Sequence, residues 1–118
     1  MAPTSFCPYG GGTFNSPTGT ISIPPQYANR VRCRFVIETG KPIYLRFDSF
    51  SIESSYDHVY VYDGDSEQST SLGEFSGSVV PEIIKATSGS MFISFTSDSS
   101  GSSDGVSMTW SEAMPTGP

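Results

Sequence analysis

Basic residues are scarce in this chain, and their scarcity excludes several classes of partner. The 118 residues include six Lys or Arg against twelve Asp or Glu, which gives a formal net charge of −6. A nucleic-acid footprint requires Lys and Arg clustered on one face, and anionic membrane surfaces attract the same residues. We therefore expect no nucleic-acid partner and no attachment to an anionic membrane.

Long apolar runs are missing as well. No stretch approaches the roughly 20 apolar residues that a membrane-spanning helix needs, and the opening residues lack the apolar region of a signal peptide. We therefore predict no membrane insertion. Residues 1–4 and 113–118 have the composition of linkers, so we expect one domain over 5–112, excised from a longer protein.

Helix-forming residues are few, whereas Ser, Gly, Thr, Pro and aromatic residues are abundant. This composition favours short strands joined by turns, and no amphipathic helix is visible. Apolar and polar residues alternate in several short segments, with a weaker strand candidate at 82–87. We predict an all-β fold, an antiparallel β-sandwich of jelly-roll type. The clear alternating segments are 30–39, 43–47, 57–63, 91–96 and 106–110.

The chain has only two cysteines, Cys7 and Cys33. Cys33 alternates in phase with Phe35 and Ile37, so its side chain should point into the core. A disulfide between the two cysteines would add about 3.5 kcal/mol on the chain-entropy model and would imply an oxidising compartment. Two reduced thiols are the alternative. We do not expect zinc, because two cysteines without CxxC spacing and one His cannot supply four ligands.

Three carboxylates in separate segments are candidate metal ligands. Asp57 opens a segment whose period of two places it on the same inward face as Val59 and Val61. A buried carboxylate is normally protonated, hydrogen-bonded or bound to a metal ion. Glu53 lies one short loop upstream, and Asp98 follows a later alternating segment. These three side chains therefore predict a calcium site.

Several segments, taken in order, share the pattern of one known family. The most specific of them runs from Tyr56 through Asp57-His58-Val59-Tyr60-Val61-Tyr62 to Gly64. Together they resemble a CUB domain, an extracellular β-sandwich module of complement-initiating proteases, tolloid-type proteases and spermadhesins. The resemblance covers nearly the whole chain and implies the same fold. The other matching segments are 10–17, 33–37, 43–50, 72–77, 95–100 and 105–106.

The resemblance also implies a ligand set for calcium. In calcium-binding CUB domains, residues at the positions of Glu53, Asp57 and Asp98 coordinate the ion. A backbone carbonyl just after the last Asp often contributes, which makes Ser100 a further candidate. Calcium takes six to eight oxygen ligands, so waters or carbonyls would complete the shell.

By the same resemblance, the expected function is non-catalytic, calcium-dependent recognition of an extracellular or secreted protein. The ion orders the binding edge, and the carboxylates beside it accept a Lys or Arg side chain of the partner. The residues that we expect to contact the partner are Tyr56, His58 and Ser99. Such a contact is small and charge-dominated, so chelators and salt should weaken it.

One departure from the family pattern concerns a disulfide. The family's second disulfide joins the acidic loop to the segment after Leu72-Gly73, but here the loop reads Ser54-Ser55 and the later position is Ser76. The loop that carries Glu53 therefore lacks this covalent link. We expect calcium to stabilise this domain more than a domain with both disulfides.

Other functions remain open. Arg30, Arg32 and Arg34 alternate outward along one predicted strand, and Arg46 on a neighbouring strand could join them. This stripe could bind a sulphated or sialylated glycan, or it could be a solvated face paired with nearby acids. A structural spacer or self-association domain in a larger adhesin or protease is a further alternative.

Two catalytic or metal-binding readings are disfavoured. Residues 63–74 place acids at several EF-hand positions, but the sixth position is Gln68 instead of Gly and no helices flank the segment. His58 adjoins Asp57, yet no nucleophile motif accompanies the pair. We therefore do not expect this domain to be an enzyme, although the longer protein can contain a separate protease domain.

Overall fold

In a computed structural model, the chain is described over residues 12–23, 32–52, 57–77, 80–97 and 105–112. Every regular element within these ranges is a β-strand, as the scarcity of helix formers predicts. In the same ranges, no helix has the length and apolar character needed to cross a membrane. The strands are β1 (Gly12–Phe14), β2 (Thr18–Ile23), β3 (Arg32–Glu38), β4 (Ile43–Ser51), β5 (His58–Asp63), β6 (Thr70–Phe75), β7 (Ile84–Ala86), β8 (Ser90–Thr96) and β9 (Gly105–Ser111).

The strands form two sheets whose apolar faces share one core. One sheet has the order β1-β3-β8-β5-β6, and the other has the order β2-β9-β4-β7. All neighbouring strands are antiparallel except β1, which runs parallel to β3. The predicted antiparallel sandwich is confirmed, and the parallel β1–β3 pair is an addition that the sequence pattern did not indicate.

Alternation along β3 determines which side chains enter the core. Cys33, Phe35 and Ile37 are at most 2% exposed, whereas Arg32 and Arg34 face solvent. The same rule holds in β9, where the buried residues include Trp110. A period of two thus predicts the inner face of both sheets.

The central strand β8 departs from simple alternation. Its residues 91–95 are all buried, including Phe92 and Ser94, which lie on the outer side of the sheet. β8 is flanked by β3 and β5, and the Tyr62 ring lies 5.8 Å from the Phe92 ring. Side chains of the neighbouring strands therefore cover the outer face of this strand.

Trp110 is a core residue, as its alternation with Met108 predicts. It is 2% exposed, and its indole Nε1 donates a hydrogen bond to the carbonyl of Ser16 at 3.0 Å. The Phe14 ring lies 5.3 Å from the indole. A Cβ atom at Gly19 would overlap the same indole ring, so this position accepts only glycine without rearrangement.

Some predicted boundaries require correction. The strand predicted at 82–87 is only Ile84–Ala86, because only these three residues pair with β4. The strand predicted at 57–63 begins at His58, one residue after Asp57. The domain limits at residues 5 and 112 stay a prediction, since residues 1–11 and 113–118 lie outside the described ranges.

Candidate metal centre

Asp57 is a fully buried acidic residue that directly precedes β5. Its relative exposure is 0%, as low as that of Val59 and Val61, the core residues of β5. An ionised carboxylate at such a position requires hydrogen bonds or a cation, because removal from water is costly. The predicted burial of Asp57 is confirmed, and its role as a calcium ligand stays a prediction.

The strand ends around Asp57 lead to the other two predicted carboxylates. β5 and β8 are antiparallel, with His58 opposite Thr96, so the start of β5 lies beside the end of β8. Asp98 comes two residues after Thr96 in the sequence, and Glu53 directly follows Ile52 at the end of β4. The fold therefore brings the segments that precede Glu53 and Asp98 to the same end of the sandwich as Asp57.

A short segment after β6 holds this end of the sandwich together. The Ser76 hydroxyl donates a hydrogen bond to the backbone carbonyl of Asp57 at 2.7 Å. The backbone N–H of Ile52 donates to the carbonyl of Gly77 at 2.9 Å. Sequence alternation does not predict these contacts. The available signal was that Ser76 occupies the position where the family pattern has a cysteine.

Several predicted site residues lie outside the described part of the chain. No three His, Cys, Asp or Glu side chains among the described residues are grouped as a metal site requires. That set contains Asp57 but neither of the other two predicted carboxylates. The predicted residues outside the described ranges are Glu53, Tyr56, Asp98, Ser99, Ser100, Cys7 and Arg30.

His58 is a partly exposed residue next to Asp57. Its ring stacks on Tyr60 with centroids 5.6 Å apart. Its Nδ1 lies 3.2 Å from Oε2 of Glu74, which permits an ion pair when the imidazole is protonated. Among the described residues, this buried Nδ1 has no partner with the direction of a hydrogen bond, so we treat the contact as electrostatic. About a fifth of the side chain is accessible, at 22%.

Part of the predicted arginine stripe lies on the outer face of β3, which continues onto β8 and β5. Arg32 and Arg34 are both exposed, and neither forms an ion pair with another described residue. Tyr60 lies on the same face. Burial and the nearby Glu74 carboxylate raise the pKa of Tyr60, while a hydrogen bond with Thr96 and the positive charge of Arg32 partly oppose that rise.

The expectation that Arg46 joins this stripe is wrong. Arg46 lies on β4, which belongs to the other sheet. Its Nε lies 2.8 Å from Oδ1 of Asp48, and Asp48 also accepts a hydrogen bond from the Thr109 hydroxyl at 2.6 Å. Arg46 therefore belongs to a separate surface pair.

The acidic hairpin that resembles an EF-hand loop connects β5 to β6. At its start, the Asp63 carboxylate accepts hydrogen bonds from the Ser88 backbone N–H at 3.0 Å and from the Thr87 hydroxyl at 3.1 Å. Burial acts to raise the pKa of Asp63, but the hydrogen bonds from Ser88 and Thr87 outweigh it and lower the pKa overall. Asp63 thus ties the hairpin to the turn before β8, which accounts for its position without a metal ion.

Cys33 is fully buried on β3 and lies opposite Phe95 of β8. This agrees with its predicted inward orientation. Because Cys7 lies outside the described residues, the pairing of the two cysteines stays a prediction.

Comparison with known proteins assigns the family. The sequence model of the CUB domain matches residues 10–110, which is most of the chain. The chain belongs to the CUB domain family. CUB domains are non-catalytic modules that generally mediate protein interactions.

This CUB domain has relatives in much longer proteins. It is 38% identical over 106 residues to mouse Tolloid-like protein 1, a match that covers 82% of this chain and 10% of that protein. It is 35% identical over 111 residues to dog Cubilin, covering 87% of this chain and 3% of that protein. The chain therefore spans at most about a tenth of these relatives.

A solved CUB domain has the same architecture. The MASP-1 CUB2 domain bound to Ca²⁺ matches with a TM-score of 0.74 and 31% sequence identity, over 86% of this chain and 97% of that chain. The bound calcium ion is a feature of that MASP-1 domain.

Proposed function

We propose that this CUB domain is a calcium-dependent, non-catalytic recognition module of an extracellular or secreted protein. In this proposal, the carboxylates of Glu53, Asp57 and Asp98 bind Ca²⁺, and the Ser100 carbonyl adds a fourth ligand. The observation that carries the proposal is the complete burial of Asp57 at the end of the sandwich where the segments before Glu53 and Asp98 meet.

The chemistry of these residues fits calcium better than other metal ions. Carboxylate and carbonyl oxygens suit a hard cation, and calcium accepts six to eight of them in a flexible arrangement. Softer metals would require several His or Cys ligands, but the chain has a single His, His58, and Cys33 lies on β3 within the core. The calcium-bound MASP-1 CUB2 domain, at 31% identity, supports the same assignment.

Partner recognition follows from the charge that the site retains. Three carboxylates carry more negative charge than one Ca²⁺ neutralises, so a partner's Lys or Arg can pair with them at the rim. In this proposal, His58, which follows Asp57 in the sequence and is 22% exposed, contacts the same partner, together with Tyr56 and Ser99. The ion fixes the carboxylates, so removing it should abolish the contact.

A minimal peptide tests this docking mode. Backbone amide signals of isotope-labelled protein would be followed by NMR while a short peptide with one central lysine is added, in calcium and in EDTA. The matched control peptide replaces lysine with norleucine. We expect the amides of Asp57 and His58 to shift with the lysine peptide in calcium alone. Equal shifts from both peptides, or no shift at millimolar peptide, would contradict the docking mode.

A second candidate function uses the outer face of β3. Arg32 and Arg34 are exposed, lie two residues apart on one strand and have no ion-pair partner among the described residues. An anionic glycan with sulphate or sialic acid groups would satisfy both guanidinium groups. The net charge of −6 opposes this function, so we rank it second.

Heparin chromatography separates the two candidates. If the arginine face binds glycan, Arg32→Ala should elute from heparin at a clearly lower salt concentration than the wild type. Arg46→Ala is the matched control, because Arg46 is exposed but lies on the other sheet. Equal elution of all three proteins, or no retention of the wild type, would reject glycan binding through this face.

A further inference from the structure

The residues on either side of the loop 53–56 are hydrogen-bonded to two consecutive residues, Ser76 and Gly77. Ile52, which precedes the loop, donates its backbone N–H to the carbonyl of Gly77 at 2.9 Å. Asp57, which follows the loop, receives the Ser76 hydroxyl on its backbone carbonyl at 2.7 Å. Both ends are also anchored in the core, since Ile52 is 3% exposed and Asp57 is 0% exposed.

These two hydrogen bonds act where the chain has no covalent link. Both cysteines lie elsewhere in the sequence, at Cys7 and Cys33, so no disulfide can join the loop to the segment after β6. The two donors are of different kinds: one is a backbone N–H, and the other is a side chain that substitution can remove. Ser76 is therefore the part of this connection that is specific to the sequence.

We propose that Ser76 is a positioning residue for Asp57 in the calcium site. The Ser76 hydrogen bond holds the carbonyl of Asp57, which fixes the peptide plane between Asp57 and His58. That plane limits the ψ angle of Asp57 and hence the direction in which its carboxylate leaves the backbone. The inference rests on the proposed calcium site and adds a residue that does not itself contact the ion.

Positioning of this kind affects metal affinity more than fold stability. Ligands that are already held in place lose less conformational freedom when the ion binds, and outer partners of metal ligands change affinity by about 10- to 100-fold. A single hydrogen bond to a backbone carbonyl belongs at the low end of that range. We expect Ser76→Ala to weaken calcium binding about tenfold.

The test measures the calcium dissociation constant by titration calorimetry and the melting temperature in EDTA for each variant. Ser76→Thr keeps the hydroxyl and should bind calcium within about twofold of the wild type. Ser88→Ala is the matched control, because the Ser88 hydroxyl also donates to a backbone carbonyl, that of Ser90 at 3.1 Å. Ser88 contacts Asp63 at the opposite end of β5, so its loss should leave the dissociation constant unchanged.

A readout without calcium tests the same connection. Hydrogen exchange of the Ile52 amide, measured in EDTA, should be faster in Ser76→Ala than in the wild type, because one of the two ties to the loop is gone. Ser76→Ala could also bind calcium as tightly as the wild type and yet melt at a lower temperature in EDTA. This result would overturn the positioning role and leave Ser76 with a structural role. Absence of calcium binding by the wild type would instead reject the proposed calcium site itself.

Discussion

Replacing the buried Asp57 by Asn separates the calcium hypothesis from a purely structural role. Asn keeps the size of the side chain and one oxygen acceptor but removes the negative charge. Asp57 is 0% exposed, so the free energy of its charge depends strongly on whether a cation is bound. The same substitution should therefore lower the melting temperature in calcium and change it little without calcium.

The expected size of the effect follows from linkage. Calcium at about 100 times its dissociation constant adds about 2.7 kcal/mol to the free energy of unfolding. Unfolding entropies near 2.1 cal/mol/K per residue give about 0.25 kcal/mol/K for a chain of 118 residues. Calcium should then raise the melting temperature of the wild type by about 11 °C.

The assay is thermal unfolding of the wild type and Asp57→Asn, each in millimolar calcium and in EDTA. We expect the calcium-induced shift to disappear in Asp57→Asn. In EDTA the variant should melt close to the wild-type temperature, because Asn keeps the size of the side chain and one oxygen acceptor. If the variant keeps the full calcium shift, or melts far below the wild type in EDTA, Asp57 has a structural role and is not a calcium ligand.

Two further predictions concern the scaffold. Asp63→Asn should lower the free energy of unfolding at neutral pH, because it weakens the hydrogen bonds that the carboxylate accepts from Thr87 and Ser88. The loss should be about 1 kcal/mol, since solvent partly screens these bonds. The pKa of Asp63 is lowered in the folded state, so this contribution is present above about pH 4 and is lost as the pH falls through the folded value. Urea unfolding at several pH values should show the two proteins converge in acid. Gly19→Ala should cost about 1–3 kcal/mol, because its Cβ would overlap the Trp110 ring, and near-UV circular dichroism should report the displaced indole.

The parts of the fold that depend on local pattern were predictable from the sequence. Alternation placed Cys33, Phe35 and Ile37 in the core and Arg32 outside, as observed. The same rule predicted that Asp57 is buried. Side-chain direction in a strand repeats every two residues, so a few residues suffice to assign the faces.

The parts that depend on long-range pairing were not predictable. Arg46 was expected beside the arginine stripe, but sequence alternation does not reveal which sheet a strand joins. The parallel pairing of β1 with β3 was not predicted for the same reason, since alternation does not show which strands are neighbours. The hydrogen bond from Ser76 to Asp57 joins residues 19 positions apart through a side chain and a carbonyl, and such a contact leaves no periodic signal.

A crystal structure of the domain grown with ample calcium tests the proposed calcium site most directly. We expect density for one ion within roughly 2.3–2.6 Å of carboxylate oxygens from Glu53, Asp57 and Asp98. Three carboxylates that point away from one another into solvent, with no ion between them under those conditions, would contradict it.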